Sequence, residues 1–469
     1  MSQPPITPEQ LAALPPEFRA LLQSIIDYYE ARIKKLEDEL AAVKKTPQNS
    51  SLPPSSQHPH SKPVPSKPSS KRKQGGQPGH PKHERALIPA EDCTEVVPLH
   101  PRECRRCGEK LSGDDPNPLR HQVWELPKIE PLVTEYQRHR RTCTSCGMTT
   151  CAELPPGVPE GQSGPRLTAA TGVLMAYFRQ SKRKTAEAIR TLFNVPCSPA
   201  LTVKQQNIVT AALQPCHDEL KAALPKVAAA SLDETGTKEG HRKAWIWTAV
   251  TSGFTLFLIR LTRGAEVAKE LLGEPFDGVI TTDRYNGYHW HKQRQFCWAH
   301  LMRDFQGLID GGGDGKRVGT ELQKIGQELF RHWHRARDGT ITRKTMRRNI
   351  GHLSGRMYAV LENGQRCRHA PTVTLCHELF NRFDALWTFL DHPDVEPTNN
   401  AAERALRHAV IWRKLSFGTQ SAGGSRFVET MLSVIETCRQ QDRPVLDFIT
   451  DAVAARFANQ DAPKILVGV

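Results

Sequence analysis

Three carboxylates in this chain stand where acidic residues can do chemistry together. Asp233 follows an apolar run in Leu232-Asp233-Glu234, Asp283 ends Gly278-Val279-Ile280-Thr281-Thr282-Asp283, and Glu403 lies in Pro397-Thr398-Asn399-Asn400-Ala401-Ala402-Glu403-Arg404. Carboxylates side by side repel unless a cation lies between them. Acidic residues on neighbouring strands can hold two Mg²⁺ about 4 Å apart, one activating an attacking oxygen and one stabilising a leaving oxygen. Each acid also has a plainer reading: Asp233 or Glu234 as a turn residue, Asp283 as the start of a turn before Tyr285-Asn286-Gly287, and Glu403 as the partner of Arg407 one helical turn on. A second chemistry resides in sulfur. Cys104-Arg105-Arg106-Cys107-Gly108 and Cys143-Thr144-Ser145-Cys146-Gly147 are two Cys-x-x-Cys pairs, each followed by Gly. The x-x spacing lets two thiolates of one tight turn face one ion, so Cys104, Cys107, Cys143 and Cys146 are the expected ligands of a structural zinc; two unrelated thiol pairs are the alternative.

The elements that must position the carboxylates are legible as a change of period. Residues Ala229 to Glu234, Ala244 to Val250 and Thr255 to Arg260 are short runs rich in strand formers with turn residues between them; they suit consecutive antiparallel strands. Gly264 to Leu272 reads as a helix and Gly278 to Asp283 as a buried strand. Three strands, a helix and a strand is the order of an RNase H-like fold, which would set Asp233 beside Asp283. A later helix would bring Glu403, with an Asn before it as cap. Upstream, Leu167 to Leu213 repeats apolar residues at helical spacing, Asn194-Val195-Pro196 breaks the run, and Ser198-Pro199 restarts it as N-cap and first helical residue. This segment could be a helix-turn-helix offering Lys204, Gln205 and Gln206 to DNA, or a plain helical hairpin. Downstream, Gly418 to Gly424 reads as a loop, with helices over Phe427 to Gln440 and Pro444 to Ala455.

The formal charge of +14 over 469 residues favours a polyanionic partner, since the excess is spread through the chain. Leu22, Ile26, Tyr29, Ile33, Leu36, Leu40 and Val43 alternate steps of four and three, the seam of a coiled coil that would pair two copies, or of a single amphipathic helix. A Pro/Ser-rich linker follows, then an arm with seven Lys or Arg against one Glu between Ser61 and Arg85. Lys71, Arg72 and Lys73 in that arm could follow a phosphate backbone or enter a minor groove. Residues Met1 to Leu22 lack a basic cluster followed by an apolar run, and no stretch of about 18 apolar residues occurs, so a cytoplasmic protein with no membrane partner is expected. Scattered single cysteines agree with a reducing compartment.

Several of these motifs, in this order from about residue 17 to 450, resemble the IS66 family of DDE-type transposases. The resemblance rests on Asn49-Ser50-Ser51 with Pro53-Pro54-Ser55, Gly75-Gly76-Gln77-Pro78-Gly79-His80, the two cysteine pairs, Leu232-Asp233-Glu234-Thr235, Thr282-Asp283-Arg284-Tyr285 with Gly287-Tyr288, Cys297-Trp298-Ala299-His300, and Asn399-Asn400 with Glu403-Arg404. It implies that Asp233, Asp283 and Glu403 are the DDE triad carrying two Mg²⁺. It implies Cys297 and His300 as supporting residues where a fifth strand should end, a metal role being the alternative. Arg404, Arg407, Arg413 and Lys414 match a basic stretch suited to substrate phosphates. Cys197-Ser198-Pro199-Ala200 and the helix after it fit the family's helix-turn-helix less well. The expected architecture is a multidomain α+β chain: coiled coil 17–45, linker and arm 46–86, zinc module 87–155, helical segment 165–226, RNase H-like core 228–415 with a helical insertion 306–395, and C-terminal helices 416–460. The expected partners are double-stranded DNA, a second protomer and helper proteins encoded with the element.

Overall fold

The structure, a computed structural model, describes residues 14–43, 46, 49–50, 80 and 84–466. The predicted arm residues Lys71, Arg72 and Lys73 lie outside them. The chain divides into two compact units, Met1–Pro59 with Leu132–Val469, and His60–Pro131. Cys104 and Cys107 fall in the smaller unit and Cys143 and Cys146 in the larger. In the smaller unit, Gln122 ties two stretches of extended chain: its side chain accepts from the Ile88 N–H at 3.0 Å and donates to the Ile88 carbonyl at 2.8 Å.

The larger unit is a mixed helix and sheet structure. Helix α1 spans Pro16–Val43; on its apolar seam Tyr29, Ile33 and Leu36 are about half exposed. Strands β1 (Arg140–Thr142) and β2 (Thr149–Cys151) form a small antiparallel ribbon around the second cysteine pair. Three helices follow, α2 (Pro165–Ala176), α3 (Lys182–Phe193) and α4 (Pro199–Ala223). Asn194 ends α3 in the left-handed region, and the Ser198 hydroxyl accepts from the Leu201 N–H at 3.2 Å to start α4, with Pro199 in its first turn.

The central sheet has the order β5-β4-β3-β6-β7. Strands β3 (Ala229–Glu239), β4 (Arg242–Val250) and β5 (Thr255–Arg260) are antiparallel. After helix α5 (Ala265–Leu272), β6 (Val279–Thr282) and β7 (Arg294–Phe296) add on parallel to β3. Strand β3 runs five residues past the expected Glu234, so Asp233 and Glu234 lie in mid-strand and not in a turn. The extra length, Thr235 to Glu239, is held by register with Ile246, Trp245, Ala244, Lys243 and Arg242 across the hairpin. Gly278 admits the close approach at which β6 begins, because a Cβ there would stand 2.5 Å from the Val227 carbonyl oxygen.

Both edges of this sheet are covered. Helix α11 (Ala422–Gln440) presents Glu429, Ser433 and Thr437 at four-residue steps. They accept the outward N–H groups of Ile259, Phe257 and Thr255 at 2.7, 2.8 and 3.2 Å. A row of helix side chains therefore satisfies an edge strand that would otherwise invite pairing. Helix α11 begins at Ala422, so Gly423 and Gly424 lie in its first turn and not in the expected loop; the Ser421 hydroxyl caps it by accepting from the Gly424 N–H. At the other edge, Gln295 of β7 accepts from the Phe389 N–H at 2.8 Å, and the Thr388 hydroxyl donates to the Arg294 carbonyl at 2.8 Å.

Helices α6 (Trp298–Asp310), α7 (Gly313–Arg337), α8 (Arg343–Gly364) and α9 (Ala370–Asn381) separate β7 from helix α10 (Asn400–Ser416). They build their own core from residues such as Phe305, Leu322, Leu329, Ile350, Met357 and Leu379. The expected insertion boundary at 306 cuts through α6. Helices α2, α4, α11 and α12 (Val445–Phe457) share the core of β3, β4 and β5, so the C-terminal helices pack as part of the sheet's own layer. Among the described residues, no helix is long and apolar enough to cross a membrane.

Candidate active site

Register sets the first two acids side by side. Ala229, Ala230 and Ser231 of β3 pair with Val279, Ile280 and Thr281 of β6, and two residues further along each chain come Asp233 and Asp283. The Asp233 carboxylate accepts from the Glu234 N–H at 2.9 Å, and that of Asp283 from the Tyr285 N–H at 2.9 Å. Glu403 arrives in the first turn of α10. Burial, and then the charges of Glu234, Asp283 and Glu403, hold the Asp233 carboxyl well above its usual range. Burial likewise raises Glu403, with Asp283 adding to the shift and Arg303, Arg407 and Arg404 opposing it. Glu403 and Arg407 form no ion pair; the nearest basic groups to the Glu403 Oε1 are the His300 Nδ1 and the Arg303 guanidinium, each at 3.5 Å.

Glu234 has another task. Its side chain is enclosed, receives the Tyr288 hydroxyl, and pairs with the Arg263 guanidinium at 2.6 and 2.9 Å. Arg263 in turn lies over the rings of Trp245 and Tyr285. Arg294 holds the turn that carries Asp283: it donates to the Thr282 hydroxyl at 2.7 Å and to the carbonyls of Asp283 and Tyr285, and burial lowers its pKa to about 10. Sequence reasoning missed both arginines. Arg263 precedes Gly264 at a helix start and Arg294 lies in a three-residue strand, and neither position carries a periodic signal.

Asn399 holds the N-cap position of α10 but does not cap it. Its side chain is fully buried and donates to the Leu232 carbonyl of β3 at 2.7 Å, while its backbone N–H reaches the Cys297 Sγ at 3.1 Å. The expected cap is thus a bridge: it ties the helix carrying Glu403 to the strand carrying Asp233 and to the end of β7. Cys297 lies directly after β7, as expected, and burial pushes its thiol up to about 12. Burial and Arg303 bring His300 down to about 4. Ligand atoms of Cys297, His300 and Glu403 lie within 4.8 Å of one another.

The cysteine pairs are built alike. In the first, the Cys104 N–H donates to the Glu109 carbonyl at 2.8 Å and the Gly108 N–H to the Cys104 carbonyl at 2.9 Å; in the second, Cys143 and Gly147 repeat both bonds with Met148 and Cys143 at the same lengths. Gly108 and Gly147 take φ of +76° and +73°, the left-handed turn that glycine allows. Backbone N–H groups of Cys107 and Arg106 lower the Cys104 thiol, and those of Cys146 and Ser145 lower that of Cys143.

The basic residues after Glu403 divide. Arg404, Arg407 and Lys414 are exposed, whereas Arg413 is half-buried and donates to the Gly236 carbonyl of β3. Arg413 is therefore committed to the fold, contrary to its expected place among the DNA contacts. On the candidate recognition helix the three polar residues also divide. Gln205 and Gln206 are buried, and Gln205 donates to the Ser163 hydroxyl at 2.9 Å, which leaves only Lys204 of the three exposed.

The family described as "Transposase IS66 family" matches residues 161–426, a span that includes Asp233, Asp283, Glu403 and the Cys297 to His300 segment. Residues 4–86 match a "Family of unknown function (DUF6444)". Two relatives come from Sinorhizobium fredii (strain NBRC 101917 / NGR234). "Uncharacterized protein y4hP" is 26% identical over 416 residues, covering 79% of this chain and 73% of its own length. "Uncharacterized protein y4qI" is 25% identical over 240 residues, covering 45% and 43%. With the matched span taking in more than half of its residues and the whole of its five-stranded sheet, this chain belongs to the IS66 transposase family.

Proposed function

We propose that this protein is a DDE-type transposase that binds the ends of an insertion element, cuts a DNA strand there and joins it to a target, with Asp233, Asp283 and Glu403 as its catalytic carboxylates. The observation that carries the reading is the convergence of these acids from β3, the end of β6 and the start of α10, so that Asp283 and Glu403 each raise the Asp233 carboxyl. Such a cluster fits divalent cations. Arg263 is spent on Glu234, so the three carboxylates offer an all-oxygen donor set, the kind that Mg²⁺ takes. When bound, two Mg²⁺ would stabilise charge on the attacking and leaving oxygens of an in-line displacement at phosphorus. The strand order, with β6 and β7 parallel to β3, supports an RNase H-like core.

The chain's own residues do the positioning. The backbone N–H groups of Glu234 and Tyr285 orient the Asp233 and Asp283 carboxylates, Arg294 keeps the Asp283 turn in place, and Asn399 sets the origin of α10. Arg404 and Arg407, both exposed in the turn that follows Glu403, suit the phosphates of the bound strand. Water is the first nucleophile and the freed 3′-hydroxyl the second. We further propose that the thiols of Cys104, Cys107, Cys143 and Cys146 hold structural zinc. In the same reading α1 pairs two protomers, and Lys71, Arg72 and Lys73 follow the DNA backbone.

The test incubates the full chain with labelled element-end DNA and Mg²⁺, with helper proteins of the element supplied, beside Asp283→Asn. Nicked and joined products that vanish in the variant are expected. If both proteins retard the DNA on a gel and neither cuts it, the chain is a DNA-binding protein and the catalytic reading falls.

A further inference from the structure

Beside the carboxylate cluster lies a second group of donors with a different chemistry. The His300 Nδ1 and the Glu403 Oε1 are 3.5 Å apart, both are buried, and neither has a hydrogen-bond partner. A buried imidazole nitrogen and a buried carboxylate oxygen without hydrogen bonds each carry a desolvation cost, which a cation coordinated by both would offset. The Cys297 Sγ completes a triangle in which all three atoms lie within 4.8 Å of one another. Donors bound at about 2.0 to 2.3 Å to one tetrahedral ion stand about 3.3 to 3.8 Å apart, so the imidazole and carboxylate at 3.5 Å already have that spacing and the sulfur needs to close by about 1 Å at most.

The backbone fixes the triangle independently of any ligand. Cys297 is the N-cap of α6 and His300 lies in its first turn, with the His300 N–H donating to the Cys297 carbonyl at 3.0 Å. The Trp298 N–H donates to the Pro397 carbonyl at 2.9 Å, and the Glu403 N–H to the Asn399 carbonyl at 3.1 Å, so the two helix starts are held together. The Asn399 N–H on the Cys297 Sγ is the kind of outer hydrogen bond that steadies a coordinating thiolate. Arg303 stands 3.5 Å from the same Glu403 oxygen, so the carboxylate oxygen is shared with a cation on its other side.

We propose that Cys297, His300 and Glu403 bind a zinc ion through Sγ, Nδ1 and Oε1. A sulfur, a nitrogen and an oxygen suit a borderline-soft ion and not Mg²⁺, which takes oxygen donors. The thiol proton leaves to solvent on binding, and one thiolate with one carboxylate neutralises the ion. The binding itself does not depend on the DDE reading. Its consequence does: zinc on Oε1 fixes the Glu403 side chain and leaves Oε2 for the phosphoryl-transfer centre.

The experiment loads the full-length protein with Zn²⁺, removes excess by desalting and counts zinc per chain by mass spectrometry, without DNA. Wild type is compared with Cys297→Ser, which keeps the volume and an acceptor for the Asn399 N–H, and with His300→Ala; circular dichroism checks that each is folded. Each variant is expected to retain one zinc fewer than wild type, whatever the cysteine pairs hold. Loaded with Co²⁺ instead, wild type should show a sulfur-to-cobalt charge-transfer component that Cys297→Ser lacks. Equal zinc counts in the three folded proteins, or a cobalt spectrum unchanged by Cys297→Ser, overturn the proposal. DNA cleavage enters neither readout, so loss of the transposase reading would leave this result standing.

Discussion

Asn399→Ala separates holding the fold together from aiming Glu403. The substitution removes the amide that donates to the Leu232 carbonyl at 2.7 Å and leaves the backbone N–H on Cys297 intact. Stripping the donor from a buried carbonyl costs about 1–3 kcal/mol. The Asn399 Oδ1, itself buried without a partner, disappears as well, so the net cost should lie near the lower end. For a domain of this size each kcal/mol moves the melting midpoint by roughly 2–4 °C, so a fall of about 2–8 °C is expected. A protein of ordinary stability, about 5–15 kcal/mol, stays more than about 99% folded after such a loss. Catalysis should suffer far more. Glu403 begins its turn on the Asn399 carbonyl, and a shift of about 1 Å in a reacting group can cost about 100-fold in rate. Strand nicking of element-end DNA in Mg²⁺, measured beside a thermal melt, reads both quantities. A melting shift with nicking within about threefold of wild type would refute the claim that this bond aims Glu403, and an unchanged midpoint would refute the bond's contribution to stability.

Two further outcomes follow from the same geometry. The folded chain holds the Asp233 carboxyl above its ordinary value, so from about pH 4 upward to that raised value it binds more protons than the unfolded chain, and this contribution to stability is lost as pH rises. The metal-free melting midpoint should therefore fall as pH rises above about 4, and Asp233→Asn should flatten that fall and abolish nicking; Mg²⁺ should raise the midpoint of wild type more than that of the variant, and an identical pH profile in the two would count against the cluster. For α1, replacing both Ile26 and Ile33 by Asp should halve the mass measured by light scattering if the helix pairs two protomers, and an unaltered dimer mass would exclude pairing through this seam.

Much of the site was legible because its signals are local. The runs around Val279 and Phe257 read as strands from their residue types, Ser198 with Pro199 reads as a helix start, and a carboxylate closing a buried strand reads as chemistry. What local pattern misjudged were polar residues with distant partners. Gln205 and Gln206 look like surface side chains on a helix, yet Gln205 is buried against Ser163. Arg413 looks like one more phosphate contact and instead holds Gly236. Gly236 and Lys238 look like the end of a strand, but pairing with Trp245 and Lys243 carries β3 past them.

Periodicity, capping residues and donor chemistry act over one or two turns of chain, so amino-acid order alone shows most of the elements and the side chains able to serve a metal. Only the tertiary structure decided where those side chains meet. Asn399 finds its acceptor 167 residues away, and Glu429 caps the edge strand from 170 residues away. Hydrogen bonds of that reach leave no trace in local spacing. A buried donor or acceptor must nevertheless be paired, and that requirement ties α10 to the strand that carries Asp233 and α11 to the edge of the same sheet.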